Sequence, residues 1–208
     1  EDWDYPQGDD LKYPYRTGIV TDQGFEQQVI YYMKSVGVTS SNLDFYIGTH
    51  AHSDHIGSGD EIVNYFKPKK LYLKKYSDSN LSATNKRWDN SYIYNGLLAA
   101  ARDNRVTVVQ NLTEGMQIKL GSQMKLTLYN TVVRKKIPDE NSNSLIIKVN
   151  ACGRTTVLTG DAVPEVVRWL LNNKKLGSTD ILKLPHHGYR QNNPDDILKK
   201  FAPGTAVV

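Results

Sequence analysis

The chain has 208 residues, enough for one domain with a substantial core, and its 39% of hydrophobic and 23% of charged residues are ordinary for a globular protein. No apolar run approaches the roughly 20 residues that a membrane-spanning helix needs, and no signal peptide is recognisable, so we expect neither within the chain. The formal net charge is +4, and the single cysteine, Cys152, excludes an intrachain disulfide.

Hydrophobic spacing predicts alternating strands and helices in the first half of the chain. Apolar residues recur at helical spacing up to Val36, and Gly37 is expected to end that helix. The predicted elements are, in order, a helix over 25–36, a strand over 43–49, a helix over 60–66, a strand over 71–73 and a helix over 95–103.

The second half is predicted to be richer in strands. The predicted elements are strands over 106–110, 118–120, 125–129, 144–149 and 155–159, a helix from Pro164, a strand over 181–184, a helix from Pro194 and the start of a strand at 206–208. Proline suits the first turn of a helix, which supports the two helix starts. The alternation favours an α/β fold with a single domain over residues 1–208.

The densest group of chemically active side chains follows the strand predicted at 43–49. It reads Thr49-His50-Ala51-His52-Ser53-Asp54-His55, with three imidazoles and one carboxylate. Such ligands suit a borderline-soft divalent ion such as zinc. Because His50 and His52 are two residues apart, they can point the same way from an extended segment. Asp54 and His55 then face a second position, where the chain turns into a helix.

Two later motifs complete the pattern. Thr159-Gly160-Asp161 follows an apolar strand, and the Asp161 carboxylate can bridge two cations with its two oxygens. Further on, the chain reads Lys183-Leu184-Pro185-His186-His187-Gly188. All five histidines fall into the first and last of these motifs, a concentration that core packing does not explain.

These three motifs, in this order and at about these separations, resemble those of the metallo-β-lactamase superfamily. The resemblance extends from about Leu43 to Gly188 and implies an αβ/βα four-layer sandwich with two metal ions, zinc first and manganese as the alternative. It implies that His50 and His52 bind one ion, that Asp54, His55 and His187 bind the other, and that Asp161 bridges them. His186 is then a neighbour of the ligands or the alternative ligand.

One departure concerns the first ion. The superfamily usually has another histidine between the first motif and the bridging aspartate, whereas here Asn141-Ser142-Asn143-Ser144-Leu145 occupies that region. This variant resembles the metallo-hydrolase domain of bacterial competence DNA-uptake proteins. Fewer protein ligands are therefore expected at the first ion, with Asn143 nearby as a supporting residue or alternative ligand.

The segments between the motifs are similar to the catalytic domain of choline-binding phosphorylcholine esterases, which act on teichoic acids at the surface of Gram-positive bacteria. The similarity lies in the segments 71–79 (Leu-Tyr-Leu-Lys-Lys-Tyr-Ser-Asp-Ser), Trp88-Asp89-Asn90 and 141–145, together with the opening residues 1–6. In those relatives the domain extends further at both ends, so the chain is expected to be truncated at both ends.

The resemblance implies a metal-dependent hydrolase, because two neighbouring cations activate water and stabilise negative charge in the transition state. His52, Asp54 and Asp161 are the candidate catalytic residues. The expected substrate is a phosphodiester, phosphorylcholine on teichoic acid first, and aromatic faces could hold its quaternary ammonium group. The candidates for that role are Trp88, Tyr76, Tyr92 and Tyr94.

Other interpretations stay open at this point. A nuclease acting on DNA is the main alternative, because basic residues recur at Lys67, Lys69, Lys70, Lys74 and Lys75 and again at Arg134, Lys135 and Lys136. These runs are also what a solvated surface would show. A metal-binding module without activity is the non-enzymatic alternative. Phosphorylcholine chemistry implies an extracellular or cell-surface location, and the alternative is cytoplasmic.

Overall fold

The computed structural model describes residues 26–83, 87 and 89–208. Trp88, the first residue of the helix predicted over 25–36 and the opening residues 1–6 lie outside this part. The chain divides into two compact units. The first unit comprises Glu1–Asn111 and Lys135–Glu140, and the second comprises Leu112–Arg134 and Asn141–Val208.

Among its described residues, the first unit contains a three-stranded parallel sheet in the order β1-β2-β3 and four α-helices. The elements are α1 (Glu26–Ser35), β1 (Phe45–Ile47), α2 (Ser53–Ile56), α3 (Gly59–Phe66), β2 (Lys70–Tyr72), α4 (Asn90–Asp103) and β3 (Thr107–Val109). Leu71 pairs with Tyr46 on one side and Val108 on the other. Because parallel strands need crossover connections, the helices between them follow from this topology.

The core of the first unit forms where α2, α3 and α4 cover the sheet. Leu71 of β2, Val63 of α3 and Leu97 of α4 are fully buried in one cluster. Helix α1 packs on α3 through Ile30 and Phe66. Gly37 ends α1 with φ of +85°, a conformation that glycine adopts without strain.

The second unit contains a six-stranded mixed sheet in the order β4-β5-β6-β7-β8-β9. Its elements are β4 (Met116–Leu120), β5 (Met124–Tyr129), β6 (Ile146–Ala151), β7 (Arg154–Leu158), α5 (Pro164–Asn172), β8 (Ile181–Lys183), α6 (Asp195–Phe201) and β9 (Thr205–Val207). The strands β4 to β7 pair antiparallel, and β7, β8 and β9 pair parallel.

Both long helices of the second unit cover one face of this sheet. Val157 and Leu182 are neighbours on that face and share a buried cluster with Val167 of α5 and Phe201 of α6. Parallel strands β7 and β8 are joined through α5, so their carboxyl ends meet at one edge of the sheet. The motifs at Asp161 and at His186–His187 directly follow these two strands.

The order and type of the predicted elements agree with the structure. Helix α2 was not predicted as a separate element, and α4 begins at Asn90 and not at 95. The first residues of α4 are polar and weak helix formers, and burial of Ile93 and Tyr94 stabilises a start that local preference does not predict. Within the described residues, no helix is both long enough and apolar enough to cross a membrane.

Candidate metal centre

His50 and His52 project from the segment after β1 in the first unit. Both residues are buried, with 5% and 4% of their whole-residue surface exposed. His50 Nε2 lies 3.1 Å from His52 Nδ1, so the two rings direct one nitrogen each to the same place. Close packing fixes this segment, since a Cβ on Gly48 would lie only 3.0 Å from the Ile56 side chain.

Helix α2 adds Asp54 and His55 to these two histidines. The backbone carbonyl of His52 accepts hydrogen bonds from the N–H groups of His55 and Ile56, which starts the helix directly after the second histidine. The ring of His55 lies 4.2 Å from that of His50, and its Nε2 lies 3.5 Å from Asp54 Oδ2. The first unit therefore brings together His50, His52, Asp54 and His55, here called the His50 group.

A fifth side chain, Asp139, lies beside the His50 group and was not selected from the sequence. Asp139 Oδ1 is 3.6 Å from His52 Nε2, the ring nitrogen that does not face His50. No motif marks Asp139, because it lies 87 positions after His52 in the sequence and the contact depends on the fold.

The second unit places Asp161 at the end of β7. Gly160 turns the chain with φ of +53°, which brings Asp161 into a site where only 2% of it is exposed. The Asp161 backbone N–H donates to Ser144 Oγ at 3.1 Å. The hydroxyl of Thr159 donates to the Lys183 carbonyl at 2.7 Å and so ties the ends of β7 and β8 together.

His186 and His187 face the Asp161 carboxylate from the turn after β8. The distance to Asp161 Oδ2 is 3.3 Å from His187 Nε2 and 3.8 Å from His186 Nε2. Both residues have left-handed backbone, with φ of 49° and 51°, and Gly188 follows at 76°. Such strain in non-glycine residues persists only where the surroundings impose it and is frequent at functional sites. Asp161, His186 and His187 are called the Asp161 group.

Two further residues define the surroundings of the Asp161 group. Lys183 Nζ lies 3.7 Å from Asp161 Oδ1 and donates to the Gly160 carbonyl at 3.2 Å. The side-chain amide of Asn143 contacts the protein backbone, which is not the arrangement of a metal ligand. Its Oδ1 accepts from the Arg134 N–H at 2.8 Å and its Nδ2 donates to the Arg134 carbonyl, so its contacts indicate a role in holding the loop.

The aromatic candidates of the first unit lie in two different environments. Tyr76 and Tyr94 are neighbours, with ring centroids 5.7 Å apart, and they line a small cavity that His50 also lines. The Tyr76 hydroxyl donates to Asp78 at 2.7 Å, and burial, followed by this bond, raises the pKa of Tyr76 above its usual range. Burial also raises the pKa of Tyr94, whose hydroxyl accepts from Gln110. Tyr92 is 41% exposed.

Fewer lysines of the run 67–75 are exposed than the sequence analysis predicts. Lys67, Lys69, Lys70 and Lys75 are exposed, but Lys74 is only 6% exposed. Lys74 lines the cavity beside His50 together with Tyr76 and Glu140, so the inclusion of Lys74 in a surface patch was wrong. Arg134, Lys135 and Lys136 are exposed as predicted.

The donor set fits a divalent transition metal. Two ligands that each lie about 2.0–2.1 Å from one zinc ion stand roughly 3 Å apart, and the nitrogens of His50 and His52 are 3.1 Å apart. The Asp161 group offers a buried carboxylate and two imidazoles, again nitrogen and oxygen donors. Imidazole with carboxylate suits zinc, manganese or iron better than calcium or magnesium.

Among curated proteins, the chain is similar to ComE operon protein 3 of Bacillus subtilis, with 26% identity over 88% of the chain. It is also similar to Recombination protein 2 of Haemophilus influenzae, with 25% identity over 88% of the chain. The chain spans only 22% and 19% of the length of these two relatives. No protein-family model matches the chain.

Three solved structures share the architecture. A metallo-β-lactamase with a HARLDQ motif from Cronobacter sakazakii aligns at a TM-score of 0.50 and 16% identity, covering 79% of this chain and 68% of that one. The metallo-β-lactamase MIM-2 aligns at 0.50 and 18%, covering 84% and 70%. An E377D mutant of the β-hydroxylase CmlA aligns at 0.51 and 10%, covering 78% and 35%. The α/β chain described here therefore has the metallo-β-lactamase fold, as its sequence motifs predict.

Proposed function

We propose that the chain is a metal-dependent hydrolase that cleaves phosphodiesters. The observation that carries the proposal is the convergence of His50 Nε2 and His52 Nδ1 at 3.1 Å, with Asp54 and His55 beside them. The fold by itself does not specify the reaction, since one of the aligned structures is a β-hydroxylase. The choice of hydrolysis rests on the three motifs and their resemblance to the superfamily.

The metal ligands follow the motif order. His50 and His52 would hold one ion, while Asp54, His55 and His187 would hold a second, with Asp161 serving both. Zinc is the proposed ion and manganese the alternative. When bound, such ions supply Lewis acidity toward the phosphoryl oxygens and a nucleophilic water at neutral pH.

The side chains themselves have defined tasks in this proposal. Asp54, at the first turn of α2, accepts a hydrogen bond from the attacking water and so orients it. Lys183, 3.7 Å from the Asp161 carboxylate, keeps positive charge beside that carboxylate and holds it in place through the Gly160 carbonyl. The two ring nitrogens of His52 have separate neighbours, His50 and Asp139, and these contacts orient the His52 ring.

The first proposed substrate is a phosphorylcholine ester of the teichoic acid type. Its support is the similarity of residues 71–79, Trp88-Asp89-Asn90 and 141–145 to phosphorylcholine esterases. A quaternary ammonium group binds to aromatic faces by cation–π attraction, and Tyr76 and Tyr94 place two aromatic rings near His50. This substrate would go with an extracellular or cell-surface location, which is part of the same proposal.

DNA is the second candidate substrate, and a separate observation favours it. The two curated relatives fit the competence-type alternative, and one of them is called a recombination protein. The exposed residues Lys67, Lys70 and Lys75 add positive charge to the first unit, whereas Lys69 pairs with Asp44 at 2.7 Å. Binding to a phosphate backbone requires such charge.

One experiment tests the function and separates the substrates. The metal-loaded protein is assayed with p-nitrophenylphosphorylcholine, bis-p-nitrophenyl phosphate and single-stranded DNA, each with and without a chelator. We expect chelator-sensitive cleavage of both chromogenic esters, faster for the choline ester. No cleavage of any substrate by protein that binds zinc would favour a metal-binding module without activity. Cleavage of DNA alone, with affinity that falls steeply as salt rises, would favour the nuclease.

His52→Ala is the matched variant for these assays. Removing one proposed ligand should lower turnover on every substrate alike, because the loss lies in the reaction and not in substrate recognition. Asp103→Ala is its control, since Asp103 pairs with Arg102 at the exposed end of α4.

A further inference from the structure

The two ring nitrogens of His52 face different partners in the first unit. Nδ1 lies 3.1 Å from His50 Nε2, and Nε2 lies 3.6 Å from Asp139 Oδ1. A neutral imidazole carries its proton on one nitrogen and offers the lone pair of the other, so the partner of one nitrogen decides the role of the other.

We propose that Asp139 is a positioning residue that fixes the ring orientation and tautomer of His52 for metal binding. From 3.6 Å away, a small rotation lets its carboxylate accept a hydrogen bond from the Nε2–H group, which leaves the lone pair of Nδ1, facing His50, for the ion. Metal-binding histidines commonly give their second N–H to a carboxylate in this way. The inference rests on the proposed function, because it assigns a task at the same metal centre.

The backbone around Asp139 is fixed to the first unit, as a positioning residue requires. Ile137, two residues earlier, forms an isolated parallel bridge with Leu81. Its N–H donates to the Asn80 carbonyl at 3.0 Å and its carbonyl accepts from the Ser82 N–H at 2.8 Å. His52 is 5% exposed and Asp139 is 22% exposed, so the carboxylate retains room to rotate the short distance to a hydrogen bond.

A role as a direct metal ligand fits the geometry less well. Asp139 faces Nε2 of His52, and the nitrogens that converge are His52 Nδ1 and His50 Nε2. A ligand replacing the superfamily's additional histidine would instead have to face the point where those two nitrogens meet. The two roles predict different numbers of bound ions, which makes them distinguishable.

The test compares zinc binding to the unsubstituted chain, Asp139→Ala, Asp139→Asn and Asp103→Ala by isothermal titration calorimetry at one pH. Nitrogen-15 NMR of the histidine rings reports the His52 tautomer in the same samples. We expect Asp139→Ala to weaken one zinc-binding step by about 10–100-fold, the usual loss when such a partner of a metal-binding histidine is removed. The asparagine variant keeps an acceptor oxygen and should lie between Asp139→Ala and the unsubstituted chain.

Two further readouts, the number of bound ions and the His52 tautomer, decide the outcome. At saturation all variants should bind the same number of ions. In the metal-free samples Asp139→Ala should lose the Nε2-protonated tautomer of His52, and Asp139→Asn should lose it only in part. Unchanged zinc affinity and tautomer in Asp139→Ala would overturn the inference, and so would the loss of one whole ion, which would make Asp139 a ligand. If the unsubstituted chain binds no zinc, the proposed function fails, which is a separate result.

Discussion

The hydroxyl oxygen of Ser144 accepts a hydrogen bond from the backbone N–H of Asp161 at 3.1 Å. Both residues are buried, with 0% and 2% of their surface exposed. The bond joins the segment before β6 to the turn after β7, seventeen residues apart. Ser144 thereby anchors the backbone of the residue whose carboxylate is proposed to serve two metal ions.

Ser144→Ala should therefore lower both stability and metal affinity. Leaving a buried N–H without an acceptor costs about 1–3 kcal/mol, and we expect a decrease of that size in the free energy of unfolding. Urea denaturation in the presence of a chelator measures it. Ser142→Ala is the control, because Ser142 is also buried and contacts Asn130 through its backbone carbonyl. Equal effects of the two substitutions would contradict a specific role for the Ser144 hydroxyl.

The Ser144 contact illustrates what the sequence could predict at this site. The Asn-Ser-Asn-Ser-Leu segment was identified as unusual, and Asn143 was proposed as a supporting residue or alternative ligand. The structure assigns Asn143 contacts to the Arg134 backbone and gives Ser144 the contact with Asp161. Sequence spacing shows that such a segment matters, but which side chain of a turn faces inward depends on backbone angles that only the fold determines.

Asp161→Asn should remove both ions, because one carboxylate is proposed to serve two sites. The amide is of similar size but is a weak metal ligand, so the fold should persist while metal content falls. Elemental analysis after zinc addition and desalting measures this. The control is Asp196→Asn, since Asp196 forms an exposed ion pair with Arg168. Retention of two ions by Asp161→Asn would show that the carboxylate does not bridge them.

His186 and His187 can be distinguished by glycine substitutions. Because both residues have φ near +50°, alanine would retain the backbone strain, whereas glycine relieves it. His187 Nε2 is closer to Asp161 Oδ2 than His186 Nε2 is, at 3.3 Å against 3.8 Å. We expect His187→Gly to lose one ion and His186→Gly to keep both.

The melting temperature of the metal-free variants provides the control for this pair. Without metal, both variants should be at least as stable as the unsubstituted chain. Glycine removes the left-handed backbone strain, and this gain offsets the conformational entropy that glycine adds to the unfolded chain. If His186→Gly loses an ion and His187→Gly does not, the assignment of the ligand from the motif is reversed.

Much of the fold could be predicted because hydrophobic periodicity and the motifs are local signals. The predicted bounds of three strands agree with the observed bounds within about two residues. These are the strand before His50 and His52, the strand before Asp161 and the strand before His186. The contacts of Asp139 with His52 and of Lys183 with Asp161 were not predicted, although Lys183 lies within a recognised motif. Both join residues far apart in sequence, and no local pattern encodes such pairs.

The last prediction concerns the choline group. Trp88 lies outside the described residues, and its proposed role comes from the Trp88-Asp89-Asn90 segment, whose last two residues are buried at the start of α4. If the Trp88 ring holds the quaternary ammonium group, Trp88→Ala should raise KM for p-nitrophenylphosphorylcholine and spare bis-p-nitrophenyl phosphate. The expected loss is about 0.5–2 kcal/mol, the range for a cation on an aromatic face.

Trp169→Ala is the matched control for Trp88→Ala, because Trp169 is half-exposed on α5 and has no proposed role. It should leave KM for both esters unchanged. An equal loss on both substrates in Trp88→Ala would mean that the ring supports the structure, since a cation–π contact can distinguish only the substrate that carries the cation. The preference for choline would then lose its physical basis, whereas the metal centre, tested by His52→Ala on every substrate, would be unaffected. A selective rise in KM would instead support binding of the choline group by Trp88.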